Sequence, residues 1–400
     1  MKRRSAPFRP EDLIVFLGPS MPEEEARALA PCRVLPPARQ GDVWRALSLR
    51  PRAIALVDGV FEAQPSVWHH ELLAALDAGV AVFGGGSMGA LRAAELAVHG
   101  VVGVGHIFEA YRRGELVDDA EVALLHADEE HGFRPLTVPL VNVRHAARKA
   151  QEARVLAPRE AQALVDAAAA LFYQDRTWPR MLAAVGEAWR PDTRAKWDAW
   201  AAGGFEDLKR EDARACLQAA SAFLASGARL PVRTRTGRAP PSSYVRRRRL
   251  VEGLCVTEEA LVSSEEVLSE LRAAPDAREL AEAGLRRALL AGQARSLGLL
   301  PTAEEVAQAE AEWWEGLGLP PREREAYLAT CGLDAHEVRR LCEERALEQL
   351  MLEHASRVLP DGPSWDEALA TEARLRGRWG EEARRLGAPQ PPPKPRRRKR

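Results

Sequence analysis

The sequence predicts an α/β fold: a Rossmann-like parallel sheet with flanking helices, followed by a mainly helical extension and a second all-α region. From residue 13 to about residue 108, short apolar runs alternate with segments of helix-forming composition. Continuous apolar strands separated by amphipathic helices are typical of a parallel sheet covered on both faces. After about residue 136 the strand pattern fades and helical patterns continue, so we expect only helices beyond the sheet.

The individual elements follow from these patterns. Strands are predicted at residues 13–17, 33–35, 53–57, 80–83 and 101–104. Helices are predicted between them at residues 22–30, 41–49, 65–78 and 90–99. Pro22 suits the first turn of its helix, and Ser20 is the expected cap. Four more helices are predicted at residues 138–156, 158–172, 176–189 and 207–225, and the tryptophans at 178, 189, 197 and 200 are expected to pack between helices.

A chain of 400 residues is too long for one ordinary core. We predict a first domain at residues 12–225, with an α/β part at 12–135 and a helical part at 136–225. A linker is expected at 226–249, where Pro-Pro, Ser-Ser and a run of arginines occur. Residues 250–386 are predicted to form a helical domain suited to binding a peptide or a partner, and 387–400 a disordered basic tail.

Composition argues against several classes of protein. The net charge of −1 argues against a nucleic-acid-binding surface, and no apolar run is long enough for a membrane helix. The basic N-terminus lacks an apolar signal core, so a cytoplasmic protein is expected. Five cysteines without a CxxC pair indicate neither a metal site nor a disulfide framework. Asp118, Asp119 and Glu121 lack an interleaved His or Cys and are interpreted as a solvated loop; we expect no cofactor and no metal.

The strongest local feature is a glycine-rich turn in which an apolar strand runs directly into a helix. Gly85-x-Ser87-x-Gly89 matches a nucleophile elbow, which presents a serine hydroxyl on a strained turn. Gly84-x-Gly86-x-x-Gly89, with Glu109 about twenty residues later, also matches a dinucleotide fingerprint. In a third interpretation Ser87 only caps the helix. The pattern leaves a nucleophile, a nucleotide cradle and a helix cap open.

A nucleophilic serine needs a base and donors for the oxyanion. The turn residues Gly85, Gly86, Met88 and Gly89 are the candidates for the oxyanion site. Asp58 follows a predicted strand and His69 lies just beyond it, so a Ser–His–Asp arrangement is one candidate. Arg92 and Glu95, on the helix after the turn, are candidates for supporting roles.

Several short segments, taken together and in order, resemble the TfuA-like family. They are residues 15–20, 35–42, 55–59, 83–95, 118–126, 171–178 and 207–213. The likeness covers roughly residues 12–225, and the helical region after residue 250 lies outside it. Ordered agreement of this many motifs is far more specific than a single glycine pattern.

The resemblance implies an accessory protein of a YcaO enzyme in the maturation of ribosomally made peptides. Such proteins are understood to hydrolyse a thiocarboxylated ThiS-type sulfur carrier with a serine–lysine pair, which releases sulfide for backbone thioamidation of a precursor peptide. Ser87 is then the nucleophile. Lys209, within the family-like string at 207–213, is the expected base, with Lys149 or a histidine left open. The alternatives are a non-catalytic adaptor that docks YcaO and its peptide, and a nucleotide-binding α/β protein.

Overall fold

A five-stranded parallel sheet organises the first part of the chain. A computed structural model describes residues 8–62, 64–230, 243–258, 260–354 and 364–387. The strands are β1 (Leu13–Phe16), β2 (Arg33–Leu35), β3 (Ala53–Leu56), β4 (Ala81–Gly84) and β5 (Val102–Gly103), in the order β2-β1-β3-β4-β5. Val15 pairs with Ala55, which pairs with Phe83. All five predicted strands and the α/β class are confirmed.

Helices cover both faces of the sheet because successive strand residues point to opposite sides. The first five are α1 (Glu23–Leu29), α2 (Asp42–Ser48), α3 (His69–Asp77), α4 (Met88–Leu96) and α5 (His106–Arg112). Ile14, Ile54 and Val82 face the side that carries α2 to α5. Val15 and Ala55 face the side of α1. The helix predicted at 90–99 begins two residues earlier, directly after Ser87.

Five further helices follow: α6 (Leu140–Glu152), α7 (Pro158–Ala169), α8 (Trp178–Val185), α9 (Pro191–Ala201) and α10 (Leu208–Ala225). The first four enclose Trp197, whose ring lies 5.3 Å from those of Trp189 and Trp200 and 5.7 Å from that of Trp178. The predicted packing role of these tryptophans is confirmed, although α9 was not predicted. In contrast, α10 returns to the sheet and packs beside α1.

The predicted second helical region is confirmed, although it begins within the predicted linker and contains a short hairpin. Residues 243–249 are helical, since α11 spans Ser243–Glu252, and a two-stranded antiparallel hairpin follows with β6 (Leu254–Val256) and β7 (Leu261–Ser263). The remaining helices are α12 (Ser264–Ala273), α13 (Ala277–Ser296), α14 (Ala303–Leu317), α15 (Pro321–Thr330), α16 (Ala335–Glu353), α17 (Trp365–Leu375) and α18 (Arg378–Gly387). Residues 231–242 of the expected linker and 388–400 of the expected tail lie outside the described residues.

The chain forms two compact units. The first comprises Met1–Ala274 and Leu319–Val338, and the second Pro275–Gly318 and Arg339–Arg400. The second has its own small core, in which Ala291 and Ala294 pack against Leu347 and Met351. None of the helices in the described ranges has the length and hydropathy needed to cross a bilayer.

Candidate active site

Asp58 lies where the strand order reverses, at the carboxyl ends of β1 and β3. Open α/β sheets bind ligands at such a switch point. The Asp58 carboxylate accepts bonds from the Gly18 and Ser20 N–H groups at 2.9 and 3.0 Å, and from the Ser20 hydroxyl at 2.6 Å. The prediction that Ser20 caps α1 is therefore wrong, because Pro22 occupies the cap position. Ser20 instead connects the loop after β1 to the end of β3 through its hydrogen bonds to Asp58.

Ser87 occupies the turn between β4 and α4. Gly86 precedes it with φ +73°, a conformation that glycine adopts without strain. Ser87 stands at the N-cap position of α4, yet its side chain forms no capping hydrogen bond. The helix-cap interpretation therefore does not hold. The residue is 2% exposed.

The glycines let α4 approach the sheet closely. A Cβ on Gly89 would lie 1.7 Å from the Leu56 carbonyl oxygen. The Ser87 and Gly89 N–H groups donate to the carbonyls of Gly85 and Val57 at 2.8 and 3.1 Å. The amide of Met88 has no acceptor among the described residues. In a nucleophile elbow the residue after the serine supplies the oxyanion donor, and that residue here is Met88.

Helix α10 lies over the glycine turn. A Cβ on Gly86 would meet the Lys209 carbonyl oxygen at 3.1 Å, and one on Gly85 would meet Cys216 at 3.0 Å. The space in which a dinucleotide fingerprint holds its pyrophosphate is thus filled by this helix. Glu109 pairs with Arg112 on its own helix. The geometry disfavours the nucleotide-cradle interpretation.

Lys209 is fully buried at the start of α10. Its Nζ donates to the Val122 carbonyl at 3.0 Å and lies 4.0 Å from Asp58 Oδ1. Burial lowers the pKa of Lys209, while the charges of Asp58 and Asp207 act in the opposite direction. The neutral amine is therefore accessible at lower pH than for an exposed lysine.

Hydrogen bonds from polar residues in and near the segment 207–213 hold the backbone around Lys209. Asp207 caps α10 by accepting from the Arg210 N–H at 3.1 Å, and it also accepts from Asn142 at 2.9 Å. Asn142 in turn accepts the Lys209 N–H at 3.3 Å. Asp212 accepts the N–H groups of His106 and Ile107 at the start of α5. Sequence reasoning missed Asn142 and Asp212; only the position of Asp212 within the family-like string signalled it.

The acidic segment at 118–121 is solvated only in part: Asp118 and Asp119 are exposed, as expected, but Glu121 is not. Glu121 is buried and accepts two bonds from Arg144, the shorter at 2.8 Å. Arg176, also buried, donates to the Ala120 carbonyl at 3.3 Å. These contacts hold the segment so that the Val122 carbonyl reaches Lys209.

The other candidate bases have different partners. His69 Nε2 lies 2.8 Å from Glu95, which also accepts from Arg92 at 2.7 Å. His69, Arg92 and Glu95 thus form one cluster of their own, while the Asp58 carboxylate is held by the loop after β1. Lys149 pairs with Glu206 at 3.0 Å, which raises the pKa of Lys149, so at neutral pH its amine stays protonated and cannot accept a proton.

A cavity of about 170 Å³ opens beside Lys209. Its wall includes Asn142 and the rings of Trp178 and Phe205, which stack at 4.1 Å. Lys209 lines this cavity and Ser87 does not.

Near this cavity, three side chains each offer an atom that can bind a metal ion, and these atoms lie within 4.8 Å of one another. They belong to His145, Glu206 and Glu211. Arg148 lies 3.0 Å from His145 Nδ1, and arginine can only donate. The ring proton therefore sits on Nε2 and points to Glu206, 3.1 Å away. Lys149 also pairs with Glu206, so two of the three side chains, His145 and Glu206, have protein partners.

Comparison with known families matches part of the chain. Residues 58–177 match the family model described as "TfuA-like protein", which confirms the resemblance over that segment. The match contains Asp58 and Ser87, and Lys209 lies beyond it. No curated protein matches the chain.

Proposed function

We propose that this TfuA-like protein releases sulfide from a thiocarboxylated, ThiS-type carrier protein and supplies it to a YcaO enzyme. The sulfide would serve backbone thioamidation of a ribosomally made precursor peptide in the cytosol. The family match supports an accessory role in thioamidation. The observation that carries the hydrolytic step is Lys209: a fully buried lysine with a lowered pKa, whose own carbonyl lies against the turn that holds Ser87.

The chemistry divides into acyl transfer and hydrolysis. The neutral amine of Lys209 takes the Ser87 hydroxyl proton as the oxygen attacks the thiocarboxylate carbon. The tetrahedral intermediate expels sulfur, which receives that proton and leaves as HS⁻, and the carrier becomes an ester of Ser87. Water then attacks the ester, Lys209 takes one of its protons and returns it to Ser87, and the carrier leaves as a carboxylate, with the other proton passing to solvent. The net reaction consumes one water and needs no oxidant.

Two features of the site support this assignment. The Met88 amide is free to donate to the oxyanion that forms during both attacks. Asp58 is held by three donors of the loop after β1, so its charge stays in place 4.0 Å from the lysine. In this position it stabilises the ammonium form that Lys209 takes after each proton transfer.

The test is sulfide release from a purified thiocarboxylated carrier. Ser87→Ala and Lys209→Met should each lower the rate by roughly a thousandfold. Ser263→Ala and Lys196→Met, which change the same residue types elsewhere, should release sulfide at the wild-type rate. A Ser87→Ala protein that releases sulfide as fast as wild type would show that the serine is not the nucleophile.

Added sulfide distinguishes hydrolysis from docking. If the protein only releases sulfide, free sulfide should restore thioamide formation by YcaO in the presence of Ser87→Ala. If it is an adaptor alone, the wild type should release no sulfide from the carrier, and Ser87→Ala should support thioamide formation at the wild-type rate.

A further inference from the structure

An arginine-lined pocket lies at the same carboxyl edge of the sheet as Asp58, on the side of β2. It has a volume of about 220 Å³ and is lined by Arg39, Gln40, Arg45, Gln64, Pro65 and Arg248. The loops that form it are joined by backbone bonds: Gln40 N–H donates to Pro65, and Ala38 N–H donates to Asp58. The proposed hydrolytic mechanism uses none of its lining residues.

The carboxylates around the pocket balance only part of its positive charge. Asp42 accepts from Arg39 and Arg45. Glu252 accepts from Arg45 and Arg248. Among the described side chains, these three guanidinium groups pair with two carboxylates, so one positive charge is left over.

Two donors in this pocket have no acceptor in the part of the chain that the structure describes. Gln40 Nε2 and Arg248 Nε are buried, and neither has a hydrogen-bond partner among the described residues. Buried donors are nearly always paired in folded proteins, because an unpaired one loses its hydration without compensation. Two unpaired donors beside an excess of positive charge indicate a ligand with several acceptor oxygens.

We propose that this pocket binds a phosphate group. Arginine forks match phosphate oxygens well. The donors come from three separate segments, at residues 39–45, 64 and 248. A planar carboxylate offers two oxygens, whereas a phosphate offers at least three and satisfies donors from three directions. The pocket has the volume of about seven water molecules, which is less than the volume of pockets that bind drug-sized ligands. It therefore suits a phosphate group rather than a whole nucleotide.

The test is calorimetric titration of the full chain with inorganic phosphate at constant ionic strength. Wild type should bind phosphate saturably, and Arg248→Gln and Gln40→Leu should each bind at least tenfold more weakly. Arg159→Gln removes an exposed arginine from α7 and should bind like wild type.

A melting curve gives the second measurement. Without phosphate, Gln40→Leu should melt at or above the wild-type temperature, because it removes an unpaired buried amide. Added phosphate should raise the melting temperature of wild type more than that of the variant. The proposal is overturned if wild type shows no saturable binding, if Arg159→Gln weakens binding as much as Arg248→Gln, or if acetate binds as tightly as phosphate.

Discussion

Lys209 and Asp58 form a buried pair in which Nζ lies 4.0 Å from Oδ1 and both side chains are 2% exposed. The lysine donates its close hydrogen bond to the Val122 carbonyl at 3.0 Å, and the carboxylate takes its bonds from Gly18 and Ser20. The two groups therefore interact through charge rather than through a direct hydrogen bond. Burial opposes that charge interaction and lowers the pKa of the lysine, as the proposed role of a base requires.

The lowered pKa of Lys209 predicts a pH dependence of both activity and stability. Sulfide release should rise with pH through this pKa and then level off, because the neutral amine is the reactive form. Between this pKa and the ordinary lysine value of 10.5, the unfolded chain binds a proton that the folded protein lacks. The free energy of unfolding should therefore rise with pH in that window.

Urea unfolding at several pH values measures this contribution. Lys209→Met should lack the rise, whereas Lys196→Met, on the exposed face of α9, should keep it. An identical pH slope in wild type and Lys209→Met would contradict the lowered pKa.

Ser87→Ala should separate activity from stability. Because the hydroxyl makes no capping bond, the variant should lose activity while its free energy of unfolding stays within about 0.5 kcal/mol of wild type. Ser263 caps α12 by accepting the Glu266 N–H at 3.2 Å, so Ser263→Ala should cost about 1 kcal/mol. Urea unfolding of both variants checks this, and a loss of about 1 kcal/mol for Ser87→Ala would support a capping role.

Gly89→Ala should destabilise the protein severely. The added Cβ would meet the Leu56 carbonyl at 1.7 Å, and backbone atoms of β3 cannot yield to a side chain. We expect a loss of at least about 3 kcal/mol in the free energy of unfolding. Gly284→Ala, in α13, adds a Cβ with no atom within 4 Å and should stabilise its helix by up to about 1 kcal/mol. A Gly89→Ala protein that melts like wild type would contradict the close approach of α4.

Glu71 should make stability fall with rising pH. It is buried and accepts the N–H groups of Val43 and Trp68, and burial raises its pKa from 4.5 to about 7. Between these values the folded protein keeps a proton that the unfolded chain has lost, so the free energy of unfolding should decrease by on the order of 3 kcal/mol across the window.

Glu71→Gln should remove this decrease, and the exposed Glu304→Gln should not. Urea unfolding between pH 4.5 and 8, the range set by this titration, measures the difference. Equal slopes for wild type and Glu71→Gln would show that Glu71 does not titrate there.

The sheet and the glycine turn could be predicted because their causes are local. A strand buried on both faces is apolar throughout, and a helix that touches a strand requires small residues at the contact. The hairpin at β6 and β7 was missed because strands of three residues carry too little periodicity. The helical start at Ser243 was missed because its arginine run is typical of a solvated linker.

The sequence by itself determined the α/β class, the position of Ser87 and the resemblance that pointed to Lys209. Only the tertiary structure decided that α10 folds back over the turn, that Lys209 is buried and bonded to Val122, 87 residues away, and that Asp58 belongs with this lysine rather than with His69. Contacts between residues so far apart in sequence depend on how helices pack across the sheet. The burial that lowers the pKa of the lysine exists only once that packing has formed.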